Sequence, residues 1–111
     1  MPVAANSATQ NSLRWHVAQL RASAGEYELA IASARAVLKE SEDFSSRPLR
    51  WNDYVLATIA FLEKDREKLV KHRDRVAEGD DYRGNAINLK LLNALLKHFD
   101  QSYLYATSHI E

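Results

Sequence analysis

Four histidines, His16, His72, His98 and His109, are the side chains of this sequence best suited to metal or proton chemistry. A metal site needs donors that converge, as two histidines one helical turn apart do with a third ligand, and no histidine here stands in such a spacing. Structural or solvent-facing roles are expected for all of them. His98-Phe99-Asp100 falls at a turn, where it could form one buried hydrogen bond. Asp80-Asp81 lacks the alternating oxygen ligands and closing glutamate of a calcium loop, so it is expected to be a turn. No glycine-flanked elbow presents a serine as nucleophile, and three glycines are too few for a phosphate cradle. Without cysteine, neither a disulfide nor a thiolate metal site can form. No catalytic residue, metal ligand or cofactor is expected.

The densest charge run is KDREKLVKHRDRV, in which Lys64, Lys68, Lys71 and Arg75 fall roughly on one helical face. Phosphate binding draws on unopposed charge that releases counterions, whereas here Asp65, Glu67 and Asp74 are interleaved. A solvated, salt-bridged face is expected. The whole chain carries 15 basic and 15 acidic residues. That neutrality argues against a nucleic-acid partner. No apolar run approaches the roughly 20 residues of a membrane span, so no membrane insertion is expected. The start MPVAANSATQ lacks the basic end and hydrophobic block of a secretion signal. The composition leaves the compartment open between the cytoplasm, slightly favoured, and an exported form that has lost a leader.

These residues must be positioned by helices. A length of 111 residues suits one domain, residues 1–111, with 1–10 as a flexible N-terminal segment. Breaks at Gly25, at Ser41 to Pro48 and at Gly79 to Gly84 separate segments of helical periodicity. In the first segment Leu13, Val17, Leu20 and Ala24 form one apolar stripe, and Trp15, Ala18 and Ala22 form a neighbouring one. Such width predicts more than one helical neighbour. The second helix carries Tyr27, Ala30, Ile31, Ala34, Val37 and Leu38 and fades near Glu40, with Phe44 pinning the connection that follows. Pro48 suits the first turn of a third helix. That helix is apolar over much of its circumference, from Trp51 to Leu62, and is expected at the centre. Asp65 is positioned to cap a fourth helix. Leu69, Val70, Val76 and Ala77 form its buried side, and Arg73 falls among them in register, either snorkelling or paired with a carboxylate. Gly79 suits a left-handed cap at its end. A fifth helix begins near Asn85 and buries Ile87, Leu91, Leu92, Leu95, Leu96 and Phe99. After Asp100 a short helix starts at Tyr103.

Glu26, Asp65 and Asp100 each follow the first helix of a pair, at intervals of 39 and 35 residues. The extra residues in SEDFSSRP account for the longer interval. With Gly25-Glu26-Tyr27-Glu28-Leu29-Ala30-Ile31 running on to Val37-Leu38, this spacing resembles the tetratricopeptide repeat, whose period is about 34. Leu56, Ala57, Leu69 and Val76 fit the second unit. There are departures: Trp15 is one place out of register, Arg21 stands where an aromatic is usual, and Lys64 and Arg66 replace the turn glycine and tyrosine.

The resemblance implies an all-α fold of about three antiparallel hairpins in a short right-handed array; the alternative is a compact helical bundle. It would place Trp15, Gln19, Trp51, Tyr54, Thr58, Asn93 and Lys97 along an inner groove, with Arg50 free to stack on Trp51 or to meet an acidic partner. Rigid rings with polar neighbours suit a peptide groove, although tryptophans at helical spacing also pack between hairpins. The function expected is a non-catalytic interaction module that binds a protein or peptide, or forms a homodimer through Tyr103, Tyr105 and Ile110. The alternative is a helical pocket for a small apolar ligand or lipid beside Trp51 and Phe61.

Overall fold

Six helices, and no strand, make up the residues that the computed structural model describes, 7–110, with side chains from residue 10 onward. The elements are α1 (Ser7–Ser23), α2 (Tyr27–Arg35), α3 (Trp51–Leu62), α4 (Arg66–Glu78), α5 (Arg83–Lys97) and α6 (Tyr103–Thr107). The flexible start expected for residues 1–10 is corrected in part, because α1 already begins at Ser7. Ala8 and Gln10 are good helix formers and extend α1 backward from Trp15. Residues 1–6 of that segment lie outside the described residues.

The three pairs α1/α2, α3/α4 and α5/α6 pack as hairpins, and two of their turns share one construction. After α1, the amide of Glu26 donates to the Arg21 carbonyl at 2.9 Å and that of Gly25 to Ala22 at 3.0 Å. After α3, Asp65 donates to Ala60 at 2.8 Å and Lys64 to Phe61 at 3.0 Å. Both are helix-ending motifs that require a left-handed residue, Gly25 at φ +81° and Lys64 at φ +59°. A side chain there costs about 1–2 kcal/mol. Lys64 offsets the strain through its ammonium, which donates to the carbonyls of Phe99 at 2.7 Å and Gln101 at 3.0 Å. The same ammonium lies 3.8 Å from the Phe61 ring centroid, so this residue ties the second turn to the third. Burial pulls its pKa below the ordinary lysine value, against the opposing pull of Asp100.

α2 ends at Arg35, earlier than expected, and α3 begins at Trp51, so Pro48 precedes the helix instead of lying in its first turn. The reason is the connection's own carboxylate. Glu42 accepts from the amides of Trp51 at 3.1 Å and Asn52 at 3.3 Å, supplying the acceptor that a cap residue would provide. Phe44 does pin the loop, with the Arg50 guanidinium 4.2 Å above its ring. Asn85, fully buried, accepts from the Arg50 amide at 2.8 Å and donates to the carbonyls of Pro48 and Gly79, each at 2.9 Å. Gly79 ends α4 with φ −110°, not left-handed. What it supplies is space, since a Cβ there would meet Asn85 Nδ2 at 2.7 Å.

α3 occupies the centre, with Tyr54, Val55, Ala57, Ile59, Ala60, Phe61 and Leu62 all buried. Leu69 and Val76 of α4, Leu92 and Leu95 of α5, and Ala30 and Ala34 of α2 complete the core around it. Asp65 caps α4 by accepting from the Lys68 amide at 3.1 Å. Arg73 pairs with Asp74 at 3.1 Å. α6 turns back onto α1, and the Tyr103 amide donates to the Tyr27 hydroxyl at 2.9 Å. The last helix is thereby joined to the first hairpin.

Candidate functional site

Five of the eight groove residues do come together, with Trp15, Tyr54 and Thr58 buried and Gln19 and Trp51 half-buried. Trp15, Trp51 and Tyr54 form a triangle of edge-to-face rings with centroids 5.3 to 6.1 Å apart. Trp51 donates its ring N–H to the Val37 carbonyl at 2.8 Å. Thr58 is buried and donates to the Tyr54 carbonyl at 3.1 Å. Gln19 lies beside the phenols of Tyr54 and Tyr103. Burial pushes both phenols above the ordinary tyrosine value, with hydrogen bonds from Trp15 and Gln19 opposing the rise at Tyr54. Buried rings cannot reach a partner unless the hairpins part, so Trp15, Tyr54 and Thr58 act as packing and not as groove lining.

The other three are elsewhere. Arg50 leans on Phe44 in the long connection. Asn93 and Lys97 are exposed on α5 and line a shallow cleft of about 100 Å³ with Lys90, Ala94 and His109. The dimer surface expected at the C-terminal end is also changed, because Tyr103 is only 2% exposed. Tyr105 remains exposed but stacks on His109 at 4.0 Å, with His98 edge-on at 5.3 Å. The gap among Trp15, Ala18, Ala22, Thr58, Leu62 and Tyr103 has no room for a water molecule. A cleft of about 330 Å³ lies in the 36–50 connection beside Tyr82. Its two carboxylates are already engaged: Glu42 caps α3, and Asp43 accepts from the Ser45 amide and hydroxyl at 3.0 and 2.6 Å. Those two bonds hold Asp43 below the usual aspartate range.

The surface that stands out is the far side of α1. Leu13 is 59% exposed, Val17 43% and Leu20 70%, whereas Trp15, Ala18 and Ala22 on the opposite side are at most 6% exposed. The two stripes seen in the sequence exist, and the structure buries the narrower one. Close approach explains the choice, since Ala18 and Ala22 meet Ala30 and Ala34 of α2 and small residues bring the backbones together. The leucines are left facing water. Alanine opposite alanine across the first hairpin was the signal in the sequence that could have identified the buried side.

Next to the stripe, Arg14, Val17 and Arg21 of α1, Ser33 of α2 and Ala36 just after it line a valley of about 290 Å³. Arg21 reaches across it and donates to the Ser33 hydroxyl at 2.7 Å. Among the described residues no carboxylate lies within ion-pair distance of Arg14 or Arg21, in contrast to Arg35 with Glu63 at 3.1 Å and Arg75 with Asp53 at 3.8 Å. The run from Lys64 to Arg75 is salt-bridged as expected, through Lys68–Asp65 and Arg73–Asp74 as well. Of the histidines, His72 bonds to Asp53 at 2.8 Å, linking α4 to α3. Among the described residues no three potential ligands converge on a metal position, and no helix is long and apolar enough to cross a membrane.

Compared with known protein families, curated proteins and solved structures, the chain matches none. What the fold defines, among the described residues, is an all-α arrangement of six helices with one face of its first helix uncovered.

Proposed function

We propose that this chain is a non-catalytic interaction module of tetratricopeptide-like build that docks a helical segment of another protein on the outer face of α1. The observation that carries the proposal is the exposure of Leu13, Val17 and Leu20 on a helix whose other side is fully packed. An apolar stripe at helical spacing is what a partner helix covers, with anchors repeating at three and four residues. The helix needs no rearrangement to present it. Its inner side is fixed by the Trp15–Trp51–Tyr54 triangle, which gives a rigid platform at little ordering cost. The hairpin order and the shared turn construction support the tetratricopeptide-like assignment, and the filled interior favours surface docking over an internal ligand.

The test is photo-cross-linking in the source cell, with benzophenone-alanine placed at Val17 and, as a control, at exposed Glu67. Docking predicts a discrete adduct from position 17 that disappears when Leu13→Asp and Leu20→Asp are added, with no counterpart from position 67. The same adducts from both positions, or none from position 17, would remove the proposal.

A further inference from the structure

Gln10, Leu13, Val17 and Leu20 are separated by steps of three, four and three, the core positions of a coiled-coil seam on the outer side of α1. In that frame Arg14 and Arg21 take the flanking positions on the α2 side, and His16 and Ser23 take those on the other. α1 contains no acidic residue along Ser7–Ser23. Flanking charges decide which helix a seam accepts. A second copy of this chain docked antiparallel by the same seam would set Arg14 against the other copy's Arg21. Docked parallel, it would bring the arginine row beside His16. Neither orientation gives either arginine a carboxylate from the facing α1.

From this charge pattern we infer that the occupant of the α1 face is an amphipathic helix of a different protein whose apolar stripe is bordered by glutamate or aspartate. The inference rests on the docking function proposed above and deepens it by specifying the partner's chemistry. Leu13, Val17 and Leu20 supply the buried contact. Arg14, with no carboxylate near it, and Arg21, held only by the neutral Ser33 hydroxyl, supply the selection. Docking would exchange that bond to a neutral acceptor for one between opposite charges, the stronger kind. The partner's acids are matched to two arginines one seam repeat apart, so the recognition has a spacing as well as a sign.

Two synthetic 21-residue helical peptides test this, both with leucine at the seam positions, one flanked by glutamate and the other by lysine. At neutral pH like charges keep each from pairing with itself. Fluorescence anisotropy of the labelled peptides is read against the full chain in about 50 mM salt, where flanking charges are weakly screened. The glutamate peptide is expected to bind about tenfold tighter than the lysine peptide, the change in two flanking pairs from attraction to repulsion. In an Arg14→Glu/Arg21→Glu variant the preference should reverse, and in Leu13→Asp/Leu20→Asp both peptides should be lost. Circular dichroism melts of each variant confirm that the fold is kept, and swapped preference in the arginine variant is itself proof of a folded surface.

Equal binding of both peptides, still dependent on Leu13 and Leu20, overturns the charge inference and leaves the docking function standing. Binding of neither overturns the inference too, and the cross-link at position 17 then decides whether docking survives. Concentration-dependent dimerisation abolished by Leu20→Asp would put a second copy on this face and overturn it. So would co-sedimentation with vesicles containing one-third phosphatidylglycerol, if that depended on Leu13 and Leu20 and neither peptide bound.

Discussion

α1 and α3 are both apolar on more than one side, yet only α3 is covered all round. Every residue from Asp53 to Leu62 except Leu56 is buried, because α2, α4 and α5 surround α3. α1 has α2 and α6 beside it and the α3 rings beneath, which cover Trp15, Ala18 and Ala22 and nothing opposite them. Apolar width in a helix thus reports how many neighbours it can take, not how many the chain itself supplies. Where the chain supplies fewer, the remaining face is available to something else.

The largest expected effects come from the covered sides. Phe61→Ala removes a ring with no exposed surface that packs edge-on against Phe99 and Tyr103. It should lower unfolding stability by about 3–5 kcal/mol in a urea titration. Trp15→Ala, on the inner side of α1, should lose about 3 kcal/mol or more by the same measurement. A loss under about 1 kcal/mol would mean that α1 is not anchored as described.

Next in size is Gly79→Ala, where the added methyl must displace Asn85 or Arg50. The expected loss is about 1–3 kcal/mol, and Gly25→Ala should lose about 1–2 kcal/mol for a different reason, backbone strain in open space. A smaller effect concerns pH. The phenols of Tyr54 and Tyr103 have folded values raised by burial, so the fold holds their protons more tightly than the open chain does. Their contribution is fully present below the ordinary tyrosine value of 10.0 and is lost as pH rises above it. The melting temperature should therefore hold between about pH 7 and 9 and fall above about 10, and Tyr54→Phe should make that fall shallower.

The smallest effect is the one that sharpens the contrast. Leu20→Ala, on the outer face, should change stability by less than about 0.5 kcal/mol, although it removes as many methyl groups as a core substitution. A loss comparable to that of Trp15→Ala would show that the outer stripe is already covered.

Much of the fold was legible in the sequence. The six helices, the Asp65 cap, the central place of α3 and the turn at Gly25 follow from periodicity and cap chemistry, which are local. What could not be read was which of the two stripes on α1 faces inward, since a hydrophobicity pattern weighs Leu13 and Leu20 above Ala18 and Ala22. Backbone proximity to α2 reverses that weighting, and proximity is a property of the pair. The groove assigned from the resemblance failed to assemble for a related reason. Trp15, Tyr54 and Thr58 have the types a groove uses, but α6 folds back toward α1 and closes the space in front of them. Ile87, expected in the core, is 56% exposed. Pro48 was misplaced because the carboxylate that starts α3 comes from Glu42, nine residues upstream of Trp51 and beyond any local capping pattern.

The most direct check on the outer face of α1 is an amide NMR titration of the ¹⁵N-labelled chain with the glutamate-flanked peptide. Saturable shifts should concentrate in residues 10–24 and 29–36, with the amides of residues 51–62 left in place. Shifts centred instead on residues 51–62, or on 93–109 at the far end of the molecule, would contradict the account, because the peptide would then be opening the core or choosing another surface.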